Sequence, residues 1–316
     1  MKLLKSIKQH LMTSILIAMI FGLIIGRLTD ISWMKQLILP LTFLMVYPMM
    51  VTLNFKEMTR PANKQLQITT QFINFLVFPF IAFAIGFLFL REEPYLYLGL
   101  FMISLFPTSG MTISWTVLGK GNVHAAIKMV VVGLLLGGIL SPFYLSYLLG
   151  HDVDIAFLDI FSQVLLVVFL PLILAFITQY IIIKNVGEET FHSRIKPIFP
   201  RFSTLGLVLI IFVATGLKSR VLFARPSLLL QIILPVILLY VTYYIIVFMI
   251  AKYFFNKADG IALMHGTYIR NLSIALAITL QTFEEASIAA LLIAVAFIVQ
   301  VQLAAFNVKH VTKFLR

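Results

Sequence analysis

The chain has 316 residues, of which 61% are hydrophobic and 11% charged, with a formal net charge of +12 and no cysteine. A soluble domain carries about one quarter charged residues, so a soluble fold of this length could not bury so much apolar surface. The absence of cysteine excludes disulfides, thiolate metal sites and thiol catalysis. The basic residues are spread over short loops rather than gathered in one stripe, which argues against a nucleic-acid partner.

Ten apolar segments of about 20 residues or more follow one another and predict transmembrane α-helices. Unbroken runs of this length favour helices over the short alternating strands of a membrane barrel. The start of the chain has a basic region like that of a signal peptide. No small-residue cleavage site follows it, so we expect a retained first helix. The segments are 9–28, 34–53, 66–90, 95–118, 122–149, 157–183, 198–217, 227–254, 259–281 and 285–308.

The distribution of lysine and arginine over alternate loops predicts the orientation of the helices. With the amino terminus inside, 17 of the 24 basic residues fall on the inner side and 6 on the outer side, and Arg270 lies within a segment. We therefore expect a multi-pass protein of the cytoplasmic membrane with both termini in the cytoplasm. This distribution also explains the positive net charge without an acidic partner.

A polar loop at 151–154 divides the chain into two halves of five segments each, residues 1–150 and 151–316. Because five is an odd number, the two halves enter the membrane from opposite sides. That is the layout of an inverted repeat, which is common in secondary transporters. We therefore expect an all-α membrane protein of about ten helices in two inverted five-helix repeats.

The fourth segment contains the run SLFPTSGMTISWTVLGKGN at 104–122, and the ninth contains ALMHGTYIRNLSIALAI at 262–278. Interrupted, polar segments at corresponding positions of two halves indicate a transporter site, where half-helix N-termini can hold an anion. The alternative is that proline and glycine only kink helices whose backbone is satisfied by neighbours. The candidate substrate- or ion-binding residues in these runs are Thr108, Ser109, Thr112, Ser114, His265, Thr267, Arg270 and Asn271.

Arg270 lies about eleven residues into its segment, near the middle of the membrane, where a charge costs at least about 2.5 kcal/mol. All twelve carboxylates fall in loops or at segment ends, so none is placed to neutralise it. One interpretation is a substrate-facing cation that attracts an anionic solute. The other is an arginine bonded to carbonyls at a helix break. Lys128, about two turns into the fifth segment, either joins the site or extends to the inner surface.

Other polar residues of the segments have a structural and a functional interpretation. His265 either titrates during transport or is a hydrogen-bonded structural group. The pair Gly133 and Gly137 has the spacing of a helix-packing motif. The sequence predicts no cofactor and no metal site. Candidates for polar lining are Gln71, Asn74, Gln300 and Gln302.

Three runs resemble the superfamily that joins bile acid:sodium symporters with arsenite efflux permeases. They are LTFLMVYPMMVTLNFKEM at 41–58, GMTISWTVLGKGN at 110–122 and RNLSIALAI at 270–278. The resemblance implies ten helices in a panel domain and a core domain, with broken fourth and ninth helices that cross near mid-membrane. It also implies substrate binding beside the crossing and alternating access by motion between the domains.

The chain departs from both branches of this superfamily. Arsenite permeases carry a Cys near the start of the fourth-helix motif and tend to have a Glu in the last helix. Thr108 and Gln300 occupy these positions here. The sodium symporters hold sodium through a Glu and a Gln of the ninth helix and through hydroxyls of the fifth. The resemblance therefore implies lost sodium sites, with Arg270 as a built-in cation, since the residues at those positions are Gly266, Arg270, Ala126 and Val130.

The leading hypothesis is a sodium-independent secondary transporter for a small anionic solute. One alternative is arsenite or antimonite efflux that uses the hydroxyls of Thr108 and Ser109 in place of a thiol. Another is sodium-coupled symport of a bile-acid-like organic anion. A membrane enzyme is disfavoured because the six histidines and the acids form no cluster. A channel or a receptor stays open because the sequence does not separate binding from transport, and it predicts no oligomeric state.

Overall fold

The described part of the chain is helical. The computed structural model describes residues 10–54, 63–149, 157–283 and 287–315, and these residues contain no β-strand. Short helical turns occur at Glu188–Thr190, Ser219–Ala224 and Asn307–Val311. The main helices are α1 (Leu11–Leu28), α2 (Ser32–Val51), α3 (Lys64–Phe89), α4 (Pro94–Leu105), α5 (Gly110–Leu118), α6 (Val123–Leu149), α7 (Phe157–Val186), α8 (Phe199–Leu217), α9 (Ser227–Phe254), α10 (Lys257–Tyr268), α11 (Leu272–Thr282) and α12 (Ser287–Phe306).

Within these described residues, eight helices are long and apolar enough to cross a membrane, namely α1, α2, α3, α6, α7, α8, α9 and α12. Their outer faces carry exposed large apolar side chains such as Ile177, Leu230 and Ile245. Hydrocarbon solvates such a surface, and a helix satisfies its own backbone there. The chain is therefore a multi-pass membrane protein, as its composition predicts.

The two segments expected to be interrupted are each split into two short helices. α4 ends at Leu105 and α5 begins at Gly110, whereas α10 ends at Tyr268 and α11 begins at Leu272. The long helices occupy the other predicted segments, with ends within about three residues of the expected ones. The dividing loop at 151–154, the basic residues before His10 and the last four residues of the 41–58 run lie outside the described residues.

The helices pack as two groups. α1, α2, α7 and α8 form one group, and α3 to α6 with α9 to α12 form the other. In the first group, glycines allow close backbone contact, since a Cβ on Gly22 would lie 2.6 Å from the Phe212 carbonyl oxygen. The groups meet where α12 packs on α8 and α1, where α11 packs on α2 and on the first half of α7, and where α6 also packs on α7. Both broken segments therefore belong to a single group.

α3 widens just before a proline and so brings a polar side chain into the core. The wide turn covers Ile73–Val77, and Pro79 follows it. Proline has no N–H to donate, and a wider turn lets the chain continue as a helix. Asn74 lies in this turn, is fully buried and donates through its side chain to the Gly266 carbonyl of α10 at 3.0 Å.

Three helix N-termini converge on the buried carboxylate of Asp259, in the first turn of α10. Asn63, Asn122 and Asn256 cap α3, α6 and α10, and each accepts a hydrogen bond from an N–H of its own helix. Each also donates its side-chain amide to Asp259, at 3.0, 2.7 and 3.3 Å respectively. The positive ends of three helices thus stabilise one carboxylate and join α3, α6 and α10 at one end of the group.

We expect Asp259→Asn to lower the unfolding temperature of the purified protein. The carboxamide would direct an NH2 group at the amides around it, so at least one buried donor would lose its acceptor. That loss costs about 1–3 kcal/mol, or roughly 2–10 °C. Circular dichroism during heating in detergent measures the shift. Asp159→Asn removes the same charge from an exposed first-turn position of α7, and equal shifts for the two variants would contradict the role of the cluster.

Candidate functional site

The two broken segments cross where neither chain is helical. Residues 106–109 separate α4 from α5, and residues 269–271 separate α10 from α11. Pro107 and Arg270 pair as an antiparallel β-bridge. The flanking backbone hydrogen bonds run from the Thr108 N–H to the Ile269 carbonyl at 3.1 Å and from the Asn271 N–H to the Phe106 carbonyl at 2.7 Å. Each break therefore satisfies the backbone of the other.

The first break contains a strained threonine. Thr108 has a φ of +59°, a left-handed conformation that a β-branched residue rarely adopts. Its side chain is fully buried, and its hydroxyl donates to the Pro107 carbonyl at 2.7 Å. A Cβ on Gly133 would lie 2.7 Å from this hydroxyl oxygen, and one on Gly137 would lie 3.1 Å from the Leu105 carbonyl oxygen. The two glycines thus pack α6 against the break, as their spacing predicts.

The guanidinium of Arg270 lies in a cage of oxygen atoms at the C-terminal ends of α4 and α10. The side chain has no exposed surface, and its charge lies 5.6 Å from the centre of the Phe78 ring. Carbonyls at a helix C-terminus carry partial negative charge and lack helical partners. The guanidinium satisfies them through Nε to the Ile103 carbonyl at 3.1 Å, Nη2 to the Ser104 carbonyl, and Nη1 to the Thr267 carbonyl at 3.0 Å and to Asn74 Oδ1 at 2.6 Å.

This arrangement is the second of the two interpretations of Arg270, an arginine bonded to carbonyls at a helix break. The structure differs from the expectation of a substrate-facing side chain. The two interrupted helices end in carbonyls that lack helical partners, and the guanidinium donates hydrogen bonds to these carbonyls instead of to a solute. The cage contains no carboxylate. Among the described residues, dipoles rather than a carboxylate surround the positive charge, which still contributes a positive potential at the crossing.

Gln300 of α12 holds the backbone of Arg270 from the other side. Its Oε1 accepts the Arg270 N–H at 2.7 Å, and its Nε2 donates to the Arg270 carbonyl at 3.2 Å. The same Oε1 accepts the hydroxyl of Tyr240 at 2.9 Å. The carboxamide thus pairs with the extended residue much as a neighbouring strand would. A glutamate here could not donate to the Arg270 carbonyl while ionised.

α5 begins beside open space. Ser109 caps it, with Oγ accepting from the Met111 N–H and its own N–H donating to Thr112 Oγ1, both at 3.2 Å. A Cβ on Gly110 would meet nothing within 4 Å, and the Gly110 N–H has no hydrogen-bond partner among the described residues. Ser114 lies one turn later on the same face and is exposed. The helix therefore presents a free N–H, a hydroxyl and the positive end of its dipole to an open volume.

α11 begins in a similar way at the second break. Asn271 caps it, because its Oδ1 accepts the Ile274 N–H at 3.3 Å. The N–H groups of Leu272 and Ser273 have no partner within the described part of the chain. Leu272 is buried, whereas Ser273 is partly exposed. Two half-helix N-termini thus begin next to the bridge at the crossing.

His265 is buried in a chain of hydrogen bonds that connects three other helical segments. Tyr244 of α9 donates to Asn307 Oδ1 at 2.8 Å, and Asn307 Nδ2 lies 3.0 Å from His265 Nε2. On the other side, Thr116 Oγ1 lies 3.3 Å from Nδ1 and donates to the Thr112 carbonyl. These roles fit a neutral ring with its proton on Nδ1, which is the structural interpretation of this histidine.

The structure brings together most of the predicted site residues but not all of them. Thr267 contributes its carbonyl to the cage, while its hydroxyl donates to the Leu263 carbonyl at 2.8 Å. Ser114 lies on the open face of α5, and Lys128 lines a groove between α3 and α6 instead. The residues that meet at the crossing are Thr108, Ser109, Thr112, Arg270 and Asn271.

The sequence marked Asn74 and Gln300 as candidate polar lining, and Gln300 also as the counterpart of a Glu in the arsenite permeases, but it did not predict their contacts with Arg270. No local pattern reports contacts over 196 and 30 residues of chain. The cluster around Asp259 has a recognisable signal in the sequence. Each of its asparagines directly precedes a helix, which is the pattern of an N-cap. Which side chain those three caps share depends on the packing of the helices.

Comparison with known proteins points to one family. Residues 38–225, more than half of the chain, match the model of the sodium bile acid symporter family. The chain is 25% identical over 297 residues to the arsenical-resistance protein Acr3 of Corynebacterium glutamicum, covering 86% of this chain and 80% of that protein. It is 23% identical over 290 residues to Acr3 of Alkaliphilus metalliredigens, covering 86% and 81%. An uncharacterised transporter of Synechocystis is 24% identical over 251 residues, covering 69% and 65%.

We expect Arg270→Ala to unfold at a temperature about 6–12 °C lower, because it removes the donors from several buried acceptors at a cost of about 3 kcal/mol or more. Thermal unfolding in detergent measures this shift. Millimolar guanidinium chloride should restore part of it by filling the empty cage, whereas urea, which has a similar shape and no charge, should not. Arg27→Ala, at an exposed position of α1, is the control. An equal response to guanidinium and urea would contradict an ionic role for the side chain.

Proposed function

Since this chain belongs to the sodium bile acid symporter family, we propose that it is a secondary transporter that moves a small anionic solute by alternating access. The observation that carries this proposal is the open N-terminus of α5 at Gly110, next to the crossing that holds Arg270. We further propose that it works in the cytoplasmic membrane with both termini inside, in agreement with the distribution of basic residues over the loops.

The proposed binding site uses backbone groups and hydroxyls rather than a charged side chain. The free N–H of Gly110 and the hydroxyl of Ser114 share the open face of α5. The N-terminus of a helix favours an anion through its N–H groups and its dipole. Arg270 contributes its charge from behind, without donating to the solute. Thr108, Ser109, Thr112 and Asn271 hold the two breaks in position.

Alternating access would take the form of relative motion between the two helix groups. The open face of α5 continues from Ser114 to Val117 and Leu118, which are also exposed. The groups contact each other through α6, α11 and α12 on one side and α1, α2, α7 and α8 on the other, and these contacts would change during the cycle. We also propose that residues 1–150 and 151–316 are inverted repeats, which would account for a broken segment in each half.

Transport without sodium is part of the proposal. Ala126 and Val130 stand at the positions of hydroxyl ligands in the sodium symporters, are buried and supply no side-chain oxygen. The oxygen cage at the ends of α4 and α10 already contains the guanidinium of Arg270. Sodium requires several oxygen ligands in one place, and the best set of such oxygens is thus occupied. Sodium-coupled symport of an organic anion is the less favoured alternative for this reason.

Arsenite or antimonite efflux is the second candidate function. It is favoured by the two arsenical-resistance relatives, each aligned over 86% of the chain. The two hydroxyls that would bind arsenite in place of a thiol already make hydrogen bonds within the protein. Thr108 donates to the Pro107 carbonyl, and Ser109 caps α5. This argues against the second candidate. Expression in an arsenite-sensitive bacterial strain decides this candidate. Resistance that depends on the protein would support it, and unchanged sensitivity with the protein present in the membrane would contradict it.

To test the leading proposal, we suggest a thermal-shift screen of the purified protein against oxyanions, carboxylates, sulfonates and bile-acid-like anions. The stabilising anion is then followed as a labelled solute in proteoliposomes. We expect a flux that is the same in sodium and in choline media. A flux that is abolished in choline would contradict the sodium-independent mechanism.

We expect Gly110→Val to reduce this flux at least about tenfold while the unfolding temperature stays within about 2 °C of the wild type. The added side chain enters open space, so it should exclude the solute without a clash. Gly133→Ala is the opposite control, since its Cβ would lie 2.7 Å from Thr108 Oγ1. That variant should lose stability. Unchanged transport by Gly110→Val would contradict a binding site at the start of α5.

A further inference from the structure

A second cavity lies between α3 and α6, apart from the crossing. It has a volume of about 620 Å³, within the range of ligand sites in proteins. Its walls are almost entirely apolar. Gln67, Gln71 and Lys128 provide its polar groups near the first turns of the two helices, and the hydroxyl of Tyr144 donates to the Phe75 carbonyl at the far end. The apolar walls include Phe72 and Leu76 of α3 and Val132, Leu136 and Leu140 of α6.

The position of this groove on α6 shows that it opens to the bilayer. Gly138, on the opposite side of the helix from Leu136 and Leu140, packs against Phe169 of α7. Ile139 and Phe143 flank the groove and are exposed. The cavity therefore faces neither the other helix group nor the open volume at Gly110, and a molecule within it would enter from the membrane.

The end of the groove near the start of α3 contains an amide that has no partner among the described residues. Neither Oε1 nor Nε2 of Gln71 has a hydrogen bond within the described residues, and both atoms are buried. Oε1 of Gln67 also lacks a partner there, although its Nε2 donates to the Ala125 carbonyl at 3.1 Å. A buried amide without partners is strongly unfavourable in an apolar environment. A ligand that brings an acceptor into the groove would satisfy Gln71 once this side chain turns toward the groove.

The same end of the groove is basic. Lys128 lines it, and Lys64 begins α3 one turn before Ile68 on the face that forms the wall. In the orientation proposed above, on which this inference rests, this side of the membrane faces the cytoplasm. Anionic lipids are enriched in the cytoplasmic leaflet and are attracted to lysine and arginine near the surface. The charge of the groove therefore matches an anionic lipid headgroup rather than a cationic or neutral ligand.

We propose that this groove binds one anionic phospholipid of the cytoplasmic leaflet. One acyl chain lies along α6 between Lys128 and Leu140, a distance of about 18 Å at 1.5 Å per residue. One leaflet of hydrocarbon is about 15 Å deep, so a chain of ordinary length fills this part of the groove. The Gln71 side chain turns into the groove so that an ester carbonyl accepts from its Nε2, and the phosphate lies beside Lys128 and Lys64. The bound lipid joins α3 to α6 along their lengths.

The test compares phosphatidylglycerol with phosphatidylcholine of the same acyl chains, added to delipidated protein in detergent. We expect phosphatidylglycerol to raise the unfolding temperature by at least about 3 °C and phosphatidylcholine to raise it by less than about 1 °C. Native mass spectrometry should detect one retained phosphatidylglycerol per chain. Leu136→Trp fills the groove and should abolish both effects. Ile139→Trp adds the same side chain to the exposed face beside the groove and should leave both effects unchanged.

Two further variants separate the amide from the charge. In lipid-free detergent, Gln71→Leu should unfold at a higher temperature than the wild type, because it removes the unpaired amide. With saturating phosphatidylglycerol, this advantage should disappear, because only the wild type gains the hydrogen bond. Lys128→Ala should reduce the preference for phosphatidylglycerol over phosphatidylcholine at least about threefold while retaining the acyl-chain effect.

Three outcomes would overturn the proposal. Equal shifts with the two lipids would show that the headgroup is not recognised, and an equal shift with inorganic phosphate would show that no lipid is required. A dimer that Leu136→Trp dissociates and Ile139→Trp does not would identify the groove as a contact between two copies of the chain. None of these outcomes bears on the anion site, because Leu136 lies away from Gly110 and the transport assay is independent of lipid binding.

Discussion

The constraint on which the structure depends is the set of carbonyl groups left by two helices that stop inside a membrane. Hydrocarbon offers such a carbonyl no donor, so it must be satisfied by the protein or lie beside a water-filled cavity. Arg270 supplies four hydrogen bonds from one side chain to the ends of α4 and α10 and to Asn74. Gln300 pairs with its backbone, and the bridge to Pro107 completes the crossing. The breaks exist because these donors are available.

The hydrogen bonds of Arg270 treat the C-terminal and the N-terminal helix ends at the crossing differently. Arg270 and Asn74 donate to carbonyls at the C-termini of α4 and α10, whereas the N-termini of α5 and α11 retain N–H groups without a partner among the described residues. At the proposed site, an anionic solute would therefore meet N–H donors at the start of α5. α10 has a buried charge at each of its two ends. The carboxylate of Asp259 lies in its first turn, and the guanidinium of Arg270 lies just beyond its last turn. Each charge opposes the dipole end that stabilises it, and neither needs the other as a partner.

Hydropathy located the long helices, and the proline and glycine of the polar runs located the breaks, because both signals are local in sequence. The role of Arg270 was harder to predict. The sequence showed its charge and its depth in the membrane. Three of its four acceptors are the backbone carbonyls of Ile103, Ser104 and Thr267. Because every residue type has a backbone carbonyl, no sequence pattern identifies these acceptors. Each asparagine cap by itself predicts the start of a helix. Their common partner depends on packing among α3, α6 and α10, which no local pattern encodes.

A guanidinium in the oxygen cage has a consequence for the energetics of the proposed cycle. A dissociable ion can transmit the energy of its gradient, because its binding differs between two conformations. A tethered guanidinium neither enters nor leaves, so it can hold the crossing together in every state without coupling the cycle to a gradient. The solute then becomes the group whose binding changes the charge balance at the crossing. An anion at Gly110 would neutralise part of the potential of Arg270, so its affinity would reflect a charge that it never touches.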